Sequence, residues 1–381
     1  MPIRFDKLHA VFGATFNNRT RKTILISVVQ FLFALFLLAG CSVDRQVDFF
    51  YVKNAGEVMP VDVRGNASNG TFILLLHGGP GDTAQYYTMM KPFQQLEENY
   101  AVIYWDQRAA GNSYGHPSKS SISMDQFVED THAVILAVKK RLNVKTIVLL
   151  GVSWGGRLGY EYLASSYVDP LVKGWIDVDG LSGYLSTYQA SRDWVITTMP
   201  NRINDPSIAQ SKKDGYQNAL NWHQDRPDLG SGGFLDIFGR FMEHARILRV
   251  AGLYDYDPDF VTAELGKILG WKTIFFSSID TLQQLLHATN WHKIWNDSES
   301  EVARLLADPA FANISVPTLI INGEHDGAIT AALAQTKYNA LTSLTATQKS
   351  ILIYDKSGHD PMIEEPDRFF TDVNGFVAAL Q

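Results

Sequence analysis

Cysteine is nearly absent from this chain, because Cys41 is the only one among its 381 residues. An intramolecular disulfide is therefore excluded, whatever compartment the protein occupies. Basic residues are in deficit as well: 33 lysines and arginines face 40 aspartates and glutamates, for a formal net charge of −7. This balance argues against a nucleic-acid partner, which would need an excess of positive charge. No internal repeat, heptad pattern or low-complexity tract occurs, so neither a solenoid nor a coiled coil is expected.

The first 40 residues have the pattern of an export signal. Three basic residues between positions 19 and 22 precede an apolar run over residues 24–40, which ends in small residues. The run is borderline for a permanent transmembrane helix, which needs about 20 apolar residues. Its ending, "LLAGC", resembles the lipobox of bacterial lipoproteins, in which the signal is cut before the cysteine. We predict a lipoprotein signal peptide over 1–40 and lipidation of Cys41; a signal anchor with an incidental cysteine is the alternative.

The charge of the remaining chain bears on how it is held at a membrane. Residues 1–40 contain five basic residues and one acidic residue, so 28 basic and 39 acidic residues remain, a net of −11. An acidic body is not attracted to anionic lipid, so the predicted lipid must do the anchoring. The expected location is the cell envelope. If the host has two membranes, the uncharged Ser42 favours the periplasmic face of the outer membrane.

Short β-rich runs alternate with helical patterns over most of the chain. Continuous apolar runs such as 72–76 and 147–150 indicate strands buried on both faces, as in a parallel sheet covered by helices. Strands that alternate with helices predict the α/β fold class, with a mostly parallel central sheet. Between about 181 and 311 the pattern becomes helical and rich in aromatic residues. We therefore predict a core in two parts, 41–180 and 312–381, interrupted by a helical cap over 181–311.

A candidate nucleophile lies between a predicted strand and a predicted helix. The sequence "GVSWGG" places Gly151, Ser153 and Gly155 in the spacing G-x-S-x-G, which in this context predicts a nucleophile elbow. Such a turn is so tight that the residues on either side of the serine must be small. A serine hydroxyl is a poor nucleophile until a base removes its proton, so an acid and a histidine should follow along the chain.

The acid and the histidine are each expected after a late strand. Asp326 ends the strand in "LIINGEHDG", and His359 follows the last strand in "YDKSGHDP". The predicted catalytic set is therefore Ser153, Asp326 and His359. The alternative takes the acid from the end of the preceding strand, at Asp177 or Asp179. His325, beside Asp326, is interpreted as a surface or packing residue.

A glycine-rich loop, "HGGPG" at 77–81, follows the strand expected to face the elbow. An oxyanion hole draws its second donor from this place, and we assign the two donors to the backbone N–H groups of Gly79 and Trp154. His77 could be a base, but bracing of the loop is the favoured interpretation.

The motifs "HGGPG", "YWDQRAAGNS", "GVSWGG", "INGEHD" and "SGHDPMIEEP" together resemble those of the proline iminopeptidase family of α/β-hydrolases. The resemblance implies the α/β-hydrolase fold and a serine peptidase that removes an N-terminal residue, often proline, from short peptides. The sequence has no metal-ligand spacing and no dinucleotide- or phosphate-binding loop, so we expect no cofactor and no metal. Relatives of the family include other amidases and esterases, so a carboxylesterase or amidase is the alternative function. Ala109 departs from the family pattern, which usually has glycine there.

Substrate recognition depends on the predicted cap. In the family, cap carboxylates bind the substrate amine, and Glu243 is the first candidate here, followed by Asp255 and Asp257. The expected partners are a small peptide or acyl substrate and, through the lipid, a membrane. A non-catalytic binding protein on this fold would be expected to lack a member of the catalytic set, and none is missing.

Overall fold

Nine β-strands form a single sheet in the part of the chain that the computed structural model describes, residues 45–230, 232, 234–268 and 298–381. The predicted signal peptide and Cys41 lie outside the described residues. The strands are β1 (Gln46–Asn54), β2 (Glu57–Gly65), β3 (Thr71–Leu76), β4 (Ala101–Trp105), β5 (Tyr114–Gly115), β6 (Thr146–Val152), β7 (Val172–Val178), β8 (Thr318–Gly323) and β9 (Lys349–Tyr354).

The α-helices of the described ranges cover and connect these strands. They are α1 (Lys91–Asn99), α2 (Met124–Arg141), α3 (Trp154–Leu163), α4 (Tyr184–Asn204), α5 (Gln210–Gln224), α6 (Phe234–Val250), α7 (Pro258–Ile268), α8 (Glu299–Leu306), α9 (Ala331–Ala340), α10 (Pro361–Glu364) and α11 (Pro366–Ala378).

The sheet has the predicted mostly parallel character. Its strand order is β1-β2-β4-β3-β6-β7-β8-β9, with β5 paired to β2. The pairs β1/β2, β2/β4 and β2/β5 are antiparallel, and the pairs from β4 through β9 are parallel. The carboxyl ends of the parallel strands therefore meet at one edge of the sheet, where ligands of open α/β sheets bind.

The central strands are buried on both faces, as their continuous apolar runs predict. In β3, Phe72 and Leu74 pack into one hydrophobic cluster, whereas Ile73 and Leu75 pack into the cluster on the other side of the sheet. All four side chains are fully buried. Each such burial contributes roughly 1.5–3 kcal/mol, so the strand that leads to the glycine-rich loop is held firmly between two helical layers.

The first two strands form a hairpin, whose turn follows Asn54. Ala55 has φ 41° and Gly56 has φ 83°, which gives the left-handed pair of a two-residue hairpin turn. After β3, a short 3₁₀ turn covers Gln85–Met89, and α1 begins at Lys91. Pro92 suits this start, because proline is favoured in the first turn of a helix and not in its interior.

Between β7 and β8 the described residues are helical, as predicted for the cap. Helices α4 to α8 lie in this stretch, and residues 269–297 of the predicted cap lie outside the described residues. The described residues from Gln46 to Gln381 belong to one compact unit, so the boundaries 181 and 311 stay predictions. The stretch follows β7 and thus begins at the edge of the sheet where the strands end.

Candidate active site

Ser153 occupies a sharp turn between β6 and α3. Its backbone has φ 55° and ψ −115°, a conformation that a non-glycine residue rarely adopts. The turn is fixed from both sides, because the Ser153 N–H donates to the Val178 carbonyl (3.0 Å) and the Ser153 carbonyl accepts from the Leu181 N–H (2.8 Å). The hydroxyl is therefore presented at the carboxyl end of β6, ahead of the N-terminus of α3.

The two glycines of the G-x-S-x-G motif are required by the closeness of the packing. A Cβ on Gly155 would lie 1.8 Å from the Leu76 carbonyl oxygen. A Cβ on Gly151 would lie 2.4 Å from the Gly155 carbonyl oxygen and from the ring of Trp175. Both distances are far below van der Waals contact, so the elbow forms only when these positions have no side chain.

His359 and Asp326 form a buried hydrogen-bonded pair. Nδ1 of His359 donates to Oδ2 of Asp326 at 2.7 Å, and the Asp326 side chain is inaccessible to solvent. The other oxygen, Oδ1, accepts from the N–H groups of Ala328 (2.8 Å) and Ile329 (2.9 Å). Burial lowers the pKa of His359, but the adjacent Asp326 carboxylate outweighs it, so the pKa is raised above its ordinary value. Because Nδ1 of His359 carries the proton of the neutral imidazole, Nε2 is the basic nitrogen.

The alternative acids are engaged elsewhere. Asp177 accepts from Nζ of Lys337 (2.6 Å) and from the hydroxyl of Tyr160 (3.1 Å). Asp179 accepts a hydrogen bond from the Gly323 N–H (2.9 Å). Burial and the neighbouring Asp326 charge raise the pKa of Asp179 well above its ordinary range. This shift favours the uncharged form of Asp179, and the carboxylate that accepts the hydrogen bond from His359 is that of Asp326.

A metal ion has one conceivable set of ligands in the described ranges, and it is this same group. Donor atoms of Asp179, Asp326 and His359 all lie within 4.8 Å of one another. The hydrogen bond between His359 and Asp326 already uses the atoms that face each other. The group is therefore arranged to orient an imidazole.

The glycine-rich loop lies beside the elbow and is braced by His77. Nδ1 of His77 contacts the Gly78 carbonyl (2.9 Å), and Nε2 accepts from the Gln107 N–H (3.0 Å). Both ring nitrogens are engaged, so the interpretation of His77 as a bracing residue is confirmed. Gly79 has φ 110°, and a Cβ there would lie 2.7 Å from the Gly81 nitrogen, so the bend needs glycine at this position.

Gln107 joins the loop to the elbow, a role that reasoning from the sequence missed. Its side-chain amide donates to the His77 carbonyl (3.0 Å), and its Oε1 accepts from the indole N–H of Trp154 (3.1 Å). The two segments assigned to the oxyanion hole are therefore tied through one side chain. The only available signal was the "DQR" motif itself, since a single sequence does not show which buried amide spans two loops.

The neighbouring residues of that motif are structural. Arg108 makes a bidentate, buried ion pair with Asp130 of α2 (2.6 and 2.7 Å). Ala109 has φ 54°, a left-handed conformation that glycine adopts without strain. The departure of this chain from the family pattern thus coincides with a position where the backbone favours glycine.

Ser153 and His359 line one small cavity of about 40 Å³. Gly79 and Trp154, the predicted oxyanion donors, line it as well. The described residues that complete the lining are apolar or aromatic: Leu181, Tyr184, Phe238, Phe241, Met242, Ala245, Tyr254, Ala328 and Ile329. No carboxylate is among the described residues of this lining. Helices α4 and α6 contribute its outer wall.

Glu243 does not line this cavity, and our expectation for it needs correction. Glu243 is exposed, whereas Phe238, Phe241 and Ala245 of the same helix face the cavity. These three lie at spacings of three and four residues, one face of a helix, and Glu243 points away from that face. Asp257 is exposed too, and it accepts from the Phe260 N–H at the start of α7.

Asp255 does not line the Ser153 cavity either. It lines a separate cavity of about 480 Å³. Burial, and next the charge of Asp360, raise the pKa of Asp255 to about 6. His359 packs against the same segment. Its backbone N–H donates to the Tyr254 carbonyl (2.8 Å), and the centroids of the two rings are 4.4 Å apart.

Comparison with known proteins agrees with this geometry. The sequence model of the alpha/beta hydrolase family matches residues 73–372. The chain belongs to the alpha/beta hydrolase family. The match spans both parts of the core and the helical stretch between them, and it confirms the fold predicted from the sequence.

The relatives with similar sequences include peptidases. A Bacillus subtilis (strain 168) protein named "Probable aminopeptidase YbaC" is 25% identical over 316 residues, which cover 78% of this chain and 86% of the relative. The proline iminopeptidase of Clostridioides difficile (strain 630) is 26% identical over 305 residues, with the same two shares. A crystal structure of a proline iminopeptidase from Mycobacterium smegmatis has a TM-score of 0.55 at 17% identity, covering 87% of this chain and 98% of that one. This hydrolase is therefore proline iminopeptidase-like.

Proposed function

We propose that this hydrolase cleaves its substrate through an acyl-enzyme on Ser153, as an aminopeptidase of proline iminopeptidase type that acts on short peptides. The supporting observation is that Ser153 and His359 line one cavity, while Oδ2 of Asp326 accepts a hydrogen bond from Nδ1 of the imidazole at 2.7 Å. A nucleophile, a base and an orienting acid in this order along the chain are what acyl transfer requires.

In the first step, Oγ of Ser153 attacks the carbonyl carbon of the scissile bond. Nε2 of His359 takes the hydroxyl proton and then delivers it to the leaving amine or alcohol. Asp326 stabilises the imidazolium in between. In the second step, a water molecule gives a proton to the same nitrogen and attacks the ester carbon. His359 then delivers that proton to Oγ as the bond between Oγ and the acyl carbon breaks, so the hydroxyl of Ser153 is restored and the acid product leaves.

Backbone N–H groups of Gly79 and Trp154 are the proposed donors to the oxyanion. Both residues line the cavity beside Ser153, and Trp154 is the first residue of α3, whose N-terminus carries partial positive charge. Each donor held in advance is worth about 3 kcal/mol in the transition state. The Gln107 bridge between the two segments keeps their separation constant.

The cavity favours a small apolar acyl group. Its walls are aromatic and aliphatic, and its volume of about 40 Å³ argues against a large acyl group. The side chain of one N-terminal residue such as proline suits these walls, and the names of the relatives support a peptidase. An N-terminal residue also carries an ammonium group, which needs a carboxylate partner when it is buried.

One observation favours a second candidate, a carboxylesterase or amidase for small acyl substrates. The described residues that line the cavity include no carboxylate, so nothing described pairs with an ammonium group there. An ester without an amine has no such requirement and uses the same Ser153, Asp326 and His359.

A substrate panel distinguishes the two candidates. We expect N-terminal prolyl and alanyl amides to be hydrolysed, and the same amides blocked by an N-acetyl group to lose at least about tenfold in kcat/KM, since a charge-assisted contact to the amine is worth roughly 1.5–3 kcal/mol. Short acyl esters of matched size serve as the control. Turnover of esters with no preference for a free amine would replace the aminopeptidase by the esterase.

We also propose that the protein is lipid-anchored through Cys41. No helix within the described residues is long and apolar enough to cross a membrane, and the apolar run over 24–40 lies outside them. The support is the sequence itself: a basic segment, an apolar run and "LLAGC" before the single cysteine.

Substitution Cys41→Ala should abolish lipid attachment and leave an unprocessed precursor. Metabolic labelling with a fatty acid, together with the size of the chain on a denaturing gel, measures both effects. Ser42→Ala is the matched control and should be processed normally. Removal of the signal despite Cys41→Ala would indicate an ordinary cleaved signal peptide instead.

A further inference from the structure

We propose that the outer face of β1 docks this protein on the surface of a lipid bilayer. Four exposed side chains form what we call the aromatic ridge: Val47, Phe49 and Tyr51 of β1 and Tyr114 of the nearby β5. They are 38%, 36%, 50% and 51% exposed, respectively. The ring centroids of Phe49 and Tyr51 are 5.4 Å apart, and those of Tyr51 and Tyr114 are 5.9 Å apart, both edge to face.

The ridge follows from the strand period of two. Phe50 and Val52 are buried, so Phe49 and Tyr51 point to the opposite face of β1. Val47 is exposed as well and lies at the irregularity in strand pairing between Gln46 and Asp48. Tyr114 joins them because β5 pairs with β2 on the same sheet, with Tyr114 opposite Val58.

An exposed apolar row on an edge strand needs an explanation. Edge strands of soluble proteins are usually protected by charged side chains or proline, since they otherwise pair with other chains. On the outer face of β1 the one charged side chain is Lys53, at the end of the strand. A tyrosine side chain combines an apolar ring with a polar hydroxyl group, and such side chains favour the interface between a bilayer and water. A row of exposed aromatic rings therefore suits a bilayer surface as its partner.

The length of the preceding chain places this face near a membrane. Cys41 precedes Gln46 by five residues, and five extended residues span at most about 18 Å. A lipid on Cys41, or an apolar run retained as a signal anchor, would therefore hold Gln46, at the start of β1, within this distance of the bilayer. The inference rests on the membrane attachment proposed above.

The charge of the protein indicates how the ridge binds. The chain after residue 40 has a net formal charge of −11, which opposes attraction to anionic lipid. Docking by the ridge is consequently apolar: it depends on insertion of rings at the interface, and it persists on neutral lipid and in high salt.

The test uses the single thiol of the processed chain. The chain that begins at Cys41 is coupled through that thiol to phosphatidylcholine vesicles that carry a maleimide lipid, and amide hydrogen exchange is compared with that of the uncoupled chain. We expect exchange in residues 46–54 to slow by at least about fivefold on coupling, also in 1 M salt. Unchanged exchange in these residues would overturn the proposal.

Variants identify the side chains responsible. Phe49→Thr/Tyr51→Thr/Tyr114→Thr keeps residues that suit strands and should abolish the slowing. The control Leu136→Gln/Tyr167→Thr/Leu185→Gln changes three residues of similar exposure elsewhere and should retain it. Equal slowing in both variants would contradict the assignment. Substrate turnover in solution shows that each variant is folded.

One further outcome would identify a different occupant of the ridge. Slowing that appears in the uncoupled chain as its concentration rises would identify a second copy as the occupant and overturn the bilayer proposal. Chemical coupling at Cys41 bypasses cellular lipidation, so a failure of the ridge is distinguishable from a failure of the Cys41→Ala experiment.

Discussion

Replacement of Ser153 by alanine is expected to lower kcat on the order of 10⁶-fold, as loss of the nucleophile does in other serine hydrolases. The nucleophile is the one atom of the site that forms a bond to the substrate, so no neighbour substitutes for it. The elbow should survive, since it is held by backbone hydrogen bonds of Ser153 and by its small flanking residues. The free energy of unfolding should therefore change by less than about 1 kcal/mol.

Turnover of the best substrate from the panel and thermal unfolding measure these two effects. Ser182→Ala is the matched control, because Ser182 is buried nearby and its hydroxyl has no hydrogen-bond partner among the described residues. It should keep activity within about threefold of wild type. If Ser153→Ala retains more than about a tenth of the activity, Ser153 is not the nucleophile.

The strand pattern of the core was predictable because it depends on local features. The apolar run of β3 and the G-x-S-x-G spacing each specify their own structure, through burial on both faces and through the lack of space for a Cβ. The position of Asp326 was predictable for a similar reason, since the carboxyl ends of parallel strands meet at one edge. The order of Ser153, Asp326 and His359 along the chain then follows the order of those strands.

The wall of the cavity was less predictable, because it depends on how helices pack. Glu243 is an acidic residue of the predicted cap, yet the spacing of Phe238, Phe241 and Ala245 marks a different side of α6 as its inward face. Gln107 was missed for another reason. Its two partners, His77 and Trp154, are distant in sequence, and only the folded arrangement brings them within hydrogen-bond distance.

Asp326→Asn is expected to reduce kcat by about 10⁴-fold through the wrong tautomer of His359. The N–H groups of Ala328 and Ile329 require an acceptor at Oδ1. An asparagine at 326 therefore keeps its carbonyl oxygen there and turns its NH₂ group toward His359. That group donates to Nδ1, which forces the imidazole proton onto Nε2, where it blocks proton transfer from Ser153.

Asp179→Asn should by contrast cost less than about threefold. Burial and the Asp326 charge raise the pKa of Asp179 well above its ordinary value, which favours the uncharged form, and asparagine is uncharged as well. It also keeps an oxygen that accepts from the Gly323 N–H. Asp179→Asn is thus the matched control for Asp326→Asn, with the same chemical change at a carboxyl a few ångströms away.

The pH dependence of kcat/KM separates a catalytic pair from a structural one. His359 must be neutral to accept a proton, so activity is lost as pH falls through its pKa, which the Asp326 carboxylate raises. Removing that charge in Asp326→Asn should move the acidic limb of the profile to lower pH, while Asp179→Asn should leave the limb in place. A merely structural role for Asp326 would lower the amplitude without moving the limb. The opposite result would be a large loss of activity and a shifted acidic limb in Asp179→Asn. It would assign the catalytic acid to Asp179, after the end of β7, because the carboxylate that sets the pKa of His359 is also the one that orients the imidazole.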